Sequence, residues 1–203
     1  MRKMFRRIVL CTCISACVWG WTILADREKL NEELIRLHVV AASDSEEDQS
    51  VKLKVRDAVV ESLRDAMADV KDIGEARTYI QENLPKIQQT ANDCLHALGY
   101  EGSAVASFRE EIFDTRHYDT FSLPAGVYEA LRITIGEGQG QNWWCVVFPT
   151  LCIPATSEGF EDIAAGAGFP DTLTAALEGK DGYEIRFFLL DWLGKWEAKR
   201  QAG

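Results

Sequence analysis

The chain has 203 residues, enough for one domain that buries its own core without a metal or a disulfide lattice. Its residues are 47% hydrophobic and six are tryptophan, a globular composition that excludes a disordered chain. The first 25 residues hold four of the 22 cationic side chains and none of the 32 acids, so the remainder carries a net charge of −14. A domain this acidic repels polyanions, which argues against nucleic acid and anionic lipid as partners.

Residues 1–25 have the pattern of an export signal, in which a basic start precedes an uncharged apolar run. The run, Ile8–Ala25, is long for a signal peptide and slightly shorter than the ~20 residues that cross a bilayer. Ala25 suits the last position before a cleavage site, but Ile23 is larger than the residue preferred two positions earlier. A cleaved signal peptide and an uncleaved anchor are therefore both open, and with either we expect residues 26–203 to be exported.

The segment that follows a predicted linker at 26–33 alternates between apolar and polar residues, which predicts a first strand at Leu34–Ala41. Its apolar face is Ile35, Leu37 and Val39, and its polar face is Arg36 and His38.

Two helices are predicted next. Ser43 and Glu46 have the spacing of a capping box, and helical periodicity continues to about Asp69. A second helical region spans about Glu75–Leu98 and ends at a glycine, with a kink or break expected near Asn83 because Pro85 lacks an amide donor. The acids at the start of the first helix could bind a metal, but they are better explained as complementing the helix dipole. We predict no metal site, since cysteines and histidines with zinc-site spacing are missing.

The middle of the chain predicts a β-hairpin. After a strand at Gly102–Phe113 and a turn, Val127–Ile135 alternates as a half-buried strand does. Trp143–Phe148 is apolar without alternation, which is typical of a central strand buried on both faces. The glycines at 136, 138 and 140 favour a reversal between the two strands. A phosphate-binding loop would lead into a helix, whereas this loop leads into a strand, so no nucleotide or other cofactor is predicted.

The last part of the chain is first loose and then densely apolar. Ile153–Gly182 is rich in glycine, with one short helix predicted at Asp171–Leu177. Tyr183–Trp192 predicts a strand that runs into a short helix at about Trp192–Lys199, before a tail at 200–203. The fold class is therefore α+β: a single domain at 34–199, with two helices packed on a mostly antiparallel sheet, preceded by the signal or anchor segment.

Cys145 has two alternative interpretations. As a nucleophile it would need an electropositive, accessible setting and His38 or His117 as base, but it lies mid-strand in an acidic protein. A disulfide with Cys152 is the better hypothesis, because the domain is exported and the six intervening residues include a proline that can turn the chain. Two free buried thiols are the alternative to this bridge.

Two blocks of sequence carry distinctive motifs. One is LPAGVYEALRITIGEGQGQNWWCVVFPTLC at Leu123–Cys152, and the other is LIRLHVVAASDSEEDQSVKLKVRDAV at Leu34–Val59. Together they closely resemble the stage II sporulation protein R family of endospore-forming bacteria, with Ala42 standing where asparagine is expected. The resemblance implies a protein that the forespore secretes and that triggers a membrane-embedded protease. That protease in turn processes the precursor of the sporulation sigma factor E.

The resemblance implies a protein that acts by binding and is not an enzyme; the alternative is an envelope hydrolase with an unrecognised active site. A binding protein needs an exposed surface, and loops carried on a rigid sheet are the best candidates. We therefore expect the partner to contact the turn 117–125 and the loop 136–142, and the membrane to be contacted only through the N-terminal segment. The candidate partner-binding residues are Arg116, His117, Tyr118, Arg132, Asn142 and Trp143, where Trp143 has core packing as its alternative role.

Overall fold

The structure is a computed structural model that describes residues 2–67, 69–118, 120–149 and 164–201. Its elements in chain order are α1 (Arg2–Glu33), β1 (Ile35–Val40), α2 (Glu46–Ala66), α3 (Ile73–Ala97), β2 (Ala104–Phe113), β3 (Arg116–His117), β4 (Ser122–Leu123), β5 (Gly126–Ile135), β6 (Asn142–Phe148), α4 (Asp171–Leu177) and α5 (Glu184–Gln201).

A mixed four-stranded sheet is the centre of the fold. Its strand order is β2-β5-β1-β6, in which β1 is parallel to β5 and the other two pairs are antiparallel. The predicted α+β class and the mostly antiparallel sheet are confirmed. The two predicted helices, α2 and α3, pack on one face, which we call the helix-covered face. The opposite face, which we call the outer face, packs a second core against α1, α4 and α5.

The predicted hairpin is wrong, because β1 lies between β5 and β6. The glycine-containing loop that follows β5 crosses the end of β1 instead of reversing beside it. The amides of Gln139 and Gly140 donate to the carbonyls of Ala42 and Ala41, at 3.1 and 2.9 Å. A Cβ at position 140 would lie 2.2 Å from the carbonyl oxygen of Ser43, so glycine permits this close crossing.

The apolar strand β6 is also not central, since it forms one edge of the sheet. Its missing alternation has another cause, because both of its faces are covered. Cys145 and Val147 belong to the core under α2 and α3, and Val146 to the core on the outer face. The central strands are β1 and β5, and all six residues of β1 are buried.

The C-terminal segment that predicts a strand forms the helix α5. Seven of the ten positions from 183 to 192 are apolar, and the exceptions are Glu184, Arg186 and Asp191, so the segment satisfies a period of two as well as a helical period. The helical choice buries Arg186, Leu190 and Gly194 at a spacing of four residues. Gly194 lies so close to Ala125, the residue just before β5, that a Cβ would overlap the carbonyl oxygen of Ala125. Packing against β5 therefore selects the helix, which also includes the first two residues of the predicted tail.

The predicted linker at 26–33 is the continuation of α1. These turns are ordered by tertiary contacts, since Leu30 is buried in the outer-face core and Asp26 pairs with Arg186 of α5. Likewise α3 runs through Pro85 without a break. Pro85 is exposed, so the carbonyl that loses its helical donor can bind water instead.

Helix boundaries are close to the predicted ones. The N-cap of α2 is Ser45 and not Ser43; the Ser45 hydroxyl accepts from the amide of Asp48 at 3.1 Å. Beyond α3, Gly99 has the positive φ of 67° that favours glycine after a helix, as predicted.

Candidate binding surface

A cluster of polar and aromatic side chains occupies the part of the outer face that surrounds the centre of β1. We call it the His38 cluster and define it as His38, Glu111, Arg132, Asn142 and Trp144, from all four strands of the sheet. The cross-strand register explains why they meet, because Arg132 on β5 and Trp144 on β6 are the direct neighbours of His38. Side chains of directly paired residues project from the same face of a sheet.

His38 is the centre of the cluster and is only 4% exposed. Its Nδ1 donates to Oε2 of Glu111 at 2.7 Å, and its Nε2 lies 2.8 Å from Oδ1 of Asn142. The ring stacks on Trp144 with a centroid distance of 3.8 Å and an interplanar angle of 17°. Both ring nitrogens and one ring face are therefore engaged, which fixes the orientation of the imidazole.

Glu111 is an ion-pair hub. Besides His38, its carboxylate accepts from Arg132 Nη1 and Arg109 Nε, both at 3.2 Å. Burial by itself would raise the pKa of Glu111, but the hydrogen bond from His38 and the charge of Arg132 together hold it below its usual value. Glu111 is consequently a carboxylate at neutral pH, and it holds two guanidinium groups at the surface.

A shallow pocket of about 380 Å³ opens beside these groups. Its lining residues are His38, Arg109, Glu110, Glu111, Ile112, Arg132 and Gln201. The side chains of Arg109 and Arg132 are 61% and 27% exposed, so both offer unsatisfied donors to solvent. The arrangement can bind an acidic or hydrogen-bond-accepting group of a partner.

The loop before β6 is held so that Asn142 reaches His38. The preceding residue, Gln141, is fixed at both backbone groups: its amide donates to Asp44 Oδ1 at 2.8 Å, and its carbonyl accepts from Lys52 Nζ at 3.0 Å. Lys52 is buried, and burial lowers its pKa. Asp44 thus helps to fix the backbone of the loop before β6. Among the residues that the structure describes, no group of three side chains could hold a metal ion.

Three of the six candidate partner-binding residues lie together. Arg132 and Asn142 belong to the His38 cluster, and the guanidinium of Arg116 lies 4.9 Å from the centre of the Trp144 ring. Trp143 is set apart, because it points to the helix-covered face and packs under Arg56 of α2, 4.2 Å from its ring centre.

The two remaining candidates lie on the small ribbon of β3 and β4. His117 is exposed, with its Nδ1 2.8 Å from the hydroxyl of Ser122. Tyr118 is half-buried; it stacks on Phe121 and accepts a hydrogen bond from Nη2 of Arg36 at 3.0 Å. The Tyr118 hydroxyl therefore stabilises the fold, because it accepts a hydrogen bond from a fully buried arginine.

Cys145 is 1% exposed and projects toward the helix-covered face, opposite to His38. A nucleophile–base pair of these two residues is therefore not formed. Cys145 is disulfide-bonded. Its predicted partner, Cys152, lies outside the described residues, so the pairing stays a prediction.

Sequence reasoning missed Glu111, Trp144 and Arg109 as members of this surface. The period of two along β2 places Arg109 and Glu111 on the same side of the strand, which is the sequence signal for these two residues. It could not indicate which strand lies beside β2. The predicted hairpin pairs β6 directly with β5, and this pairing leaves no place for β1 between them. The neighbours of His38 on the adjacent strands therefore cannot be predicted from the sequence.

The structure so far defines a class: an α+β domain that follows a helix, α1, long and apolar enough to cross a membrane. The model of the family described as stage II sporulation protein R (spore_II_R) matches residues 31–158. The stage II sporulation protein R of Bacillus subtilis (strain 168) is 35% identical over 181 residues, which cover 80% of each chain. The chain therefore belongs to the stage II sporulation protein R family, and its role is in sporulation. No solved structure matches the chain.

Proposed function

We propose that this protein is an exported signal of sporulation that binds and activates a membrane-embedded protease, which then processes the precursor of sigma factor E. The forespore exports it into the space between the forespore and mother-cell membranes, where it acts without catalysis of its own. The observation that supports binding most directly is the grouping of Arg116, Arg132 and Asn142 around His38 on the open part of the sheet.

The His38 cluster has the properties of a preorganised contact surface. Its polar groups are already held by Glu111 and by the stacked rings of His38 and Trp144, so little side-chain freedom is lost when a partner binds. The guanidinium groups of Arg132, in the cluster, and of Arg109 and Arg116, beside it, are cations on a domain whose net charge is strongly negative. Such groups contribute orientation and specificity toward acidic groups of a partner.

The geometry favours binding over the hydrolase alternative. A general base needs a nitrogen free to accept a proton, whereas both nitrogens of His38 already face oxygen atoms. None of the described residues that line the adjacent pocket is a serine, threonine or cysteine. The nucleophile considered from the sequence, Cys145, lies on the other side of the sheet.

The test is processing of the sigma factor E precursor in sporulating cells, followed by immunoblotting of precursor and product. We expect the double variant Arg116→Ala with Arg132→Ala to lower processing by at least about tenfold, as loss of interface anchors does. The matched control is Arg64→Ala, an exposed arginine on α2. The exported amount and the resistance to added protease show that each variant folds. Normal processing in the double variant would place the contact surface elsewhere.

The variant His38→Gln distinguishes the binding hypothesis from the hydrolase hypothesis. Glutamine can still donate a hydrogen bond to Glu111 but cannot act as a base. We expect processing to stay within about threefold of the wild-type chain. Complete loss of processing in a variant that is folded and exported would favour the hydrolase.

A further inference from the structure

The C-terminal helix α5 exposes a continuous apolar stripe. Ile185, Phe188, Trp192 and Trp196 are each between 54% and 64% exposed. Their spacing of three, four and four residues places them on one side of the helix. The other side, with Leu190 and Gly194, is buried against the sheet domain. A soluble surface rarely exposes four large apolar side chains in a row, so this stripe needs a partner.

Two ion pairs show that α5 lies across α1. Arg186 pairs with Asp26, and Glu197 pairs with Arg27. Residues 186 and 197 are eleven positions apart, which is about 16 Å along a helix axis. Their partners in α1 are adjacent. If the two helices ran side by side, the α1 partners of residues 186 and 197 would also be about eleven positions apart. Because the partners are adjacent instead, the axis of α5 crosses that of α1 at a steep angle.

The two helices cross at the C-terminal end of the apolar run of α1. Gly20, Ile23 and Leu24 line an apolar groove of about 250 Å³ together with Leu189, Trp192 and Leu193 of α5. These three α1 residues lie within about 8 Å of Ala25, the last residue of the run. An interfacial helix lies about 5–10 Å deep at the boundary between headgroups and acyl chains. When α1 occupies the bilayer, α5 is at that depth and roughly in the membrane plane.

We infer that α5 lies in the interfacial layer of the membrane that α1 enters, with its stripe against lipid acyl chains. The stripe is continuous with the apolar surface of α1, and its two tryptophans are the residue type that concentrates at this level. Arg200, in the last turn, lies over the ring of Trp196 at 5.1 Å, where its charge can reach headgroups. The inference rests on the export of the domain in the proposed function.

This placement has a consequence for the His38 cluster. Gln201, the last residue of α5, lines the same pocket as His38 and Arg132. If α5 is held in the membrane surface, this pocket lies close to the bilayer. There the pocket can contact a membrane-embedded protein. Membrane contact through the N-terminal segment alone would leave the domain free to rotate about α1.

The experiment measures contact with lipid at three single labelled cysteines in the full chain, reconstituted into phosphatidylcholine vesicles. One label is on native Cys17 in α1, one on Phe188→Cys in the stripe, and one on Lys86→Cys on the exposed side of α3. The other free cysteines are replaced by alanine. Lipids that carry a spin label in the acyl chain quench a nearby fluorophore. We expect about half of the fluorescence at positions 17 and 188 to be quenched, and almost none at position 86.

Quenching at position 17 together with an unquenched label at 188 would overturn the inference while leaving α1 in the membrane and the proposed export intact. The same holds if the label at 188 is shielded from water but not quenched, since a protein surface and not lipid would then cover the stripe. An unquenched label at position 17 would contradict membrane insertion of α1, and the inference would fail with it.

Discussion

The imidazole of His38 on the central strand β1 donates a hydrogen bond to the carboxylate of Glu111 on the edge strand β2, and the two atoms are 2.7 Å apart. The strand β5 lies between them, so the contact spans two strand spacings. It is supplemented by Arg132 of β5, which donates to the same carboxylate. One carboxylate thus joins three strands on the face that we assign to partner binding.

Replacing Glu111 by glutamine should lower the free energy of unfolding by about 1–3 kcal/mol, because two arginines and a histidine lose a charged acceptor. Urea unfolding of the detergent-solubilised full chain measures the change. The matched control is Glu110→Gln, the exposed neighbour on the other side of β2. We expect the control to stay within about 0.5 kcal/mol of the wild-type chain. Equal effects of the two substitutions would contradict the hub role of Glu111.

The same carboxylate predicts acid sensitivity. The pKa of Glu111 is lowered in the folded state from 4.5. Its contribution to stability is therefore complete above the unfolded pKa and is lost as the pH falls through the lower folded pKa. Between about pH 5 and pH 3 the wild-type chain should lose stability more steeply than Glu111→Gln. Parallel pH profiles of the two proteins would show that Glu111 is not responsible.

Gly140→Ala should destabilise the fold by about 1–3 kcal/mol or more, because the added Cβ would lie 2.2 Å from the carbonyl oxygen of Ser43. The loop must then move away from the end of β1, and Asn142 moves with it. Gln139→Ala, an exposed change in the same loop, is the control and should have little effect. Chemical denaturation compares the two, and an unchanged midpoint for Gly140→Ala would contradict the crossing of the loop over β1.

The buried ion pair of Asp26 and Arg186 joins α1 to α5. Its Nε–Oδ2 distance is 2.7 Å, and both residues are less than 10% exposed. Arg186→Met alone should cost about 3–5 kcal/mol, because it leaves a buried carboxylate without its partner. The double variant Asp26→Leu with Arg186→Met should regain most of this loss. A double-mutant cycle by thermal unfolding checks the coupling, and additive effects would argue that the pair is not formed.

Tyr118→Phe should destabilise the chain by about 1–3 kcal/mol, because it removes the hydroxyl that accepts from Arg36. Arg36 is 0% exposed, and within the part of the chain that the structure describes its other guanidinium nitrogens have no hydrogen-bond partner. Tyr183→Phe, at the start of α5, is the control. Reduced processing in Tyr118→Phe must therefore be compared with its stability before it is assigned to the partner surface.

The sequence by itself determined the elements whose pattern is local. The spacing of apolar residues and the caps predicted α2 and α3, and alternation predicted β1 and both of its faces. The apolar run at the start of the chain predicted α1 as a membrane or export segment. Two motif blocks indicated the family. Each of these features depends on residues within a few turns or strand positions of one another.

Only the tertiary structure decided which strands pair and what surrounds each side chain. The alternation of β5 and the glycines after it are compatible with a hairpin and equally with a crossing over a third strand, because both need the same backbone freedom. In 183–192 seven of ten positions are apolar, so the pattern fits a strand and a helix alike. The packing of the helix, with Gly194 close to Ala125, decides between them. Glu111 reaches His38 because β5 lies between their strands, and a pairing between residues 73 positions apart leaves no trace in local periodicity.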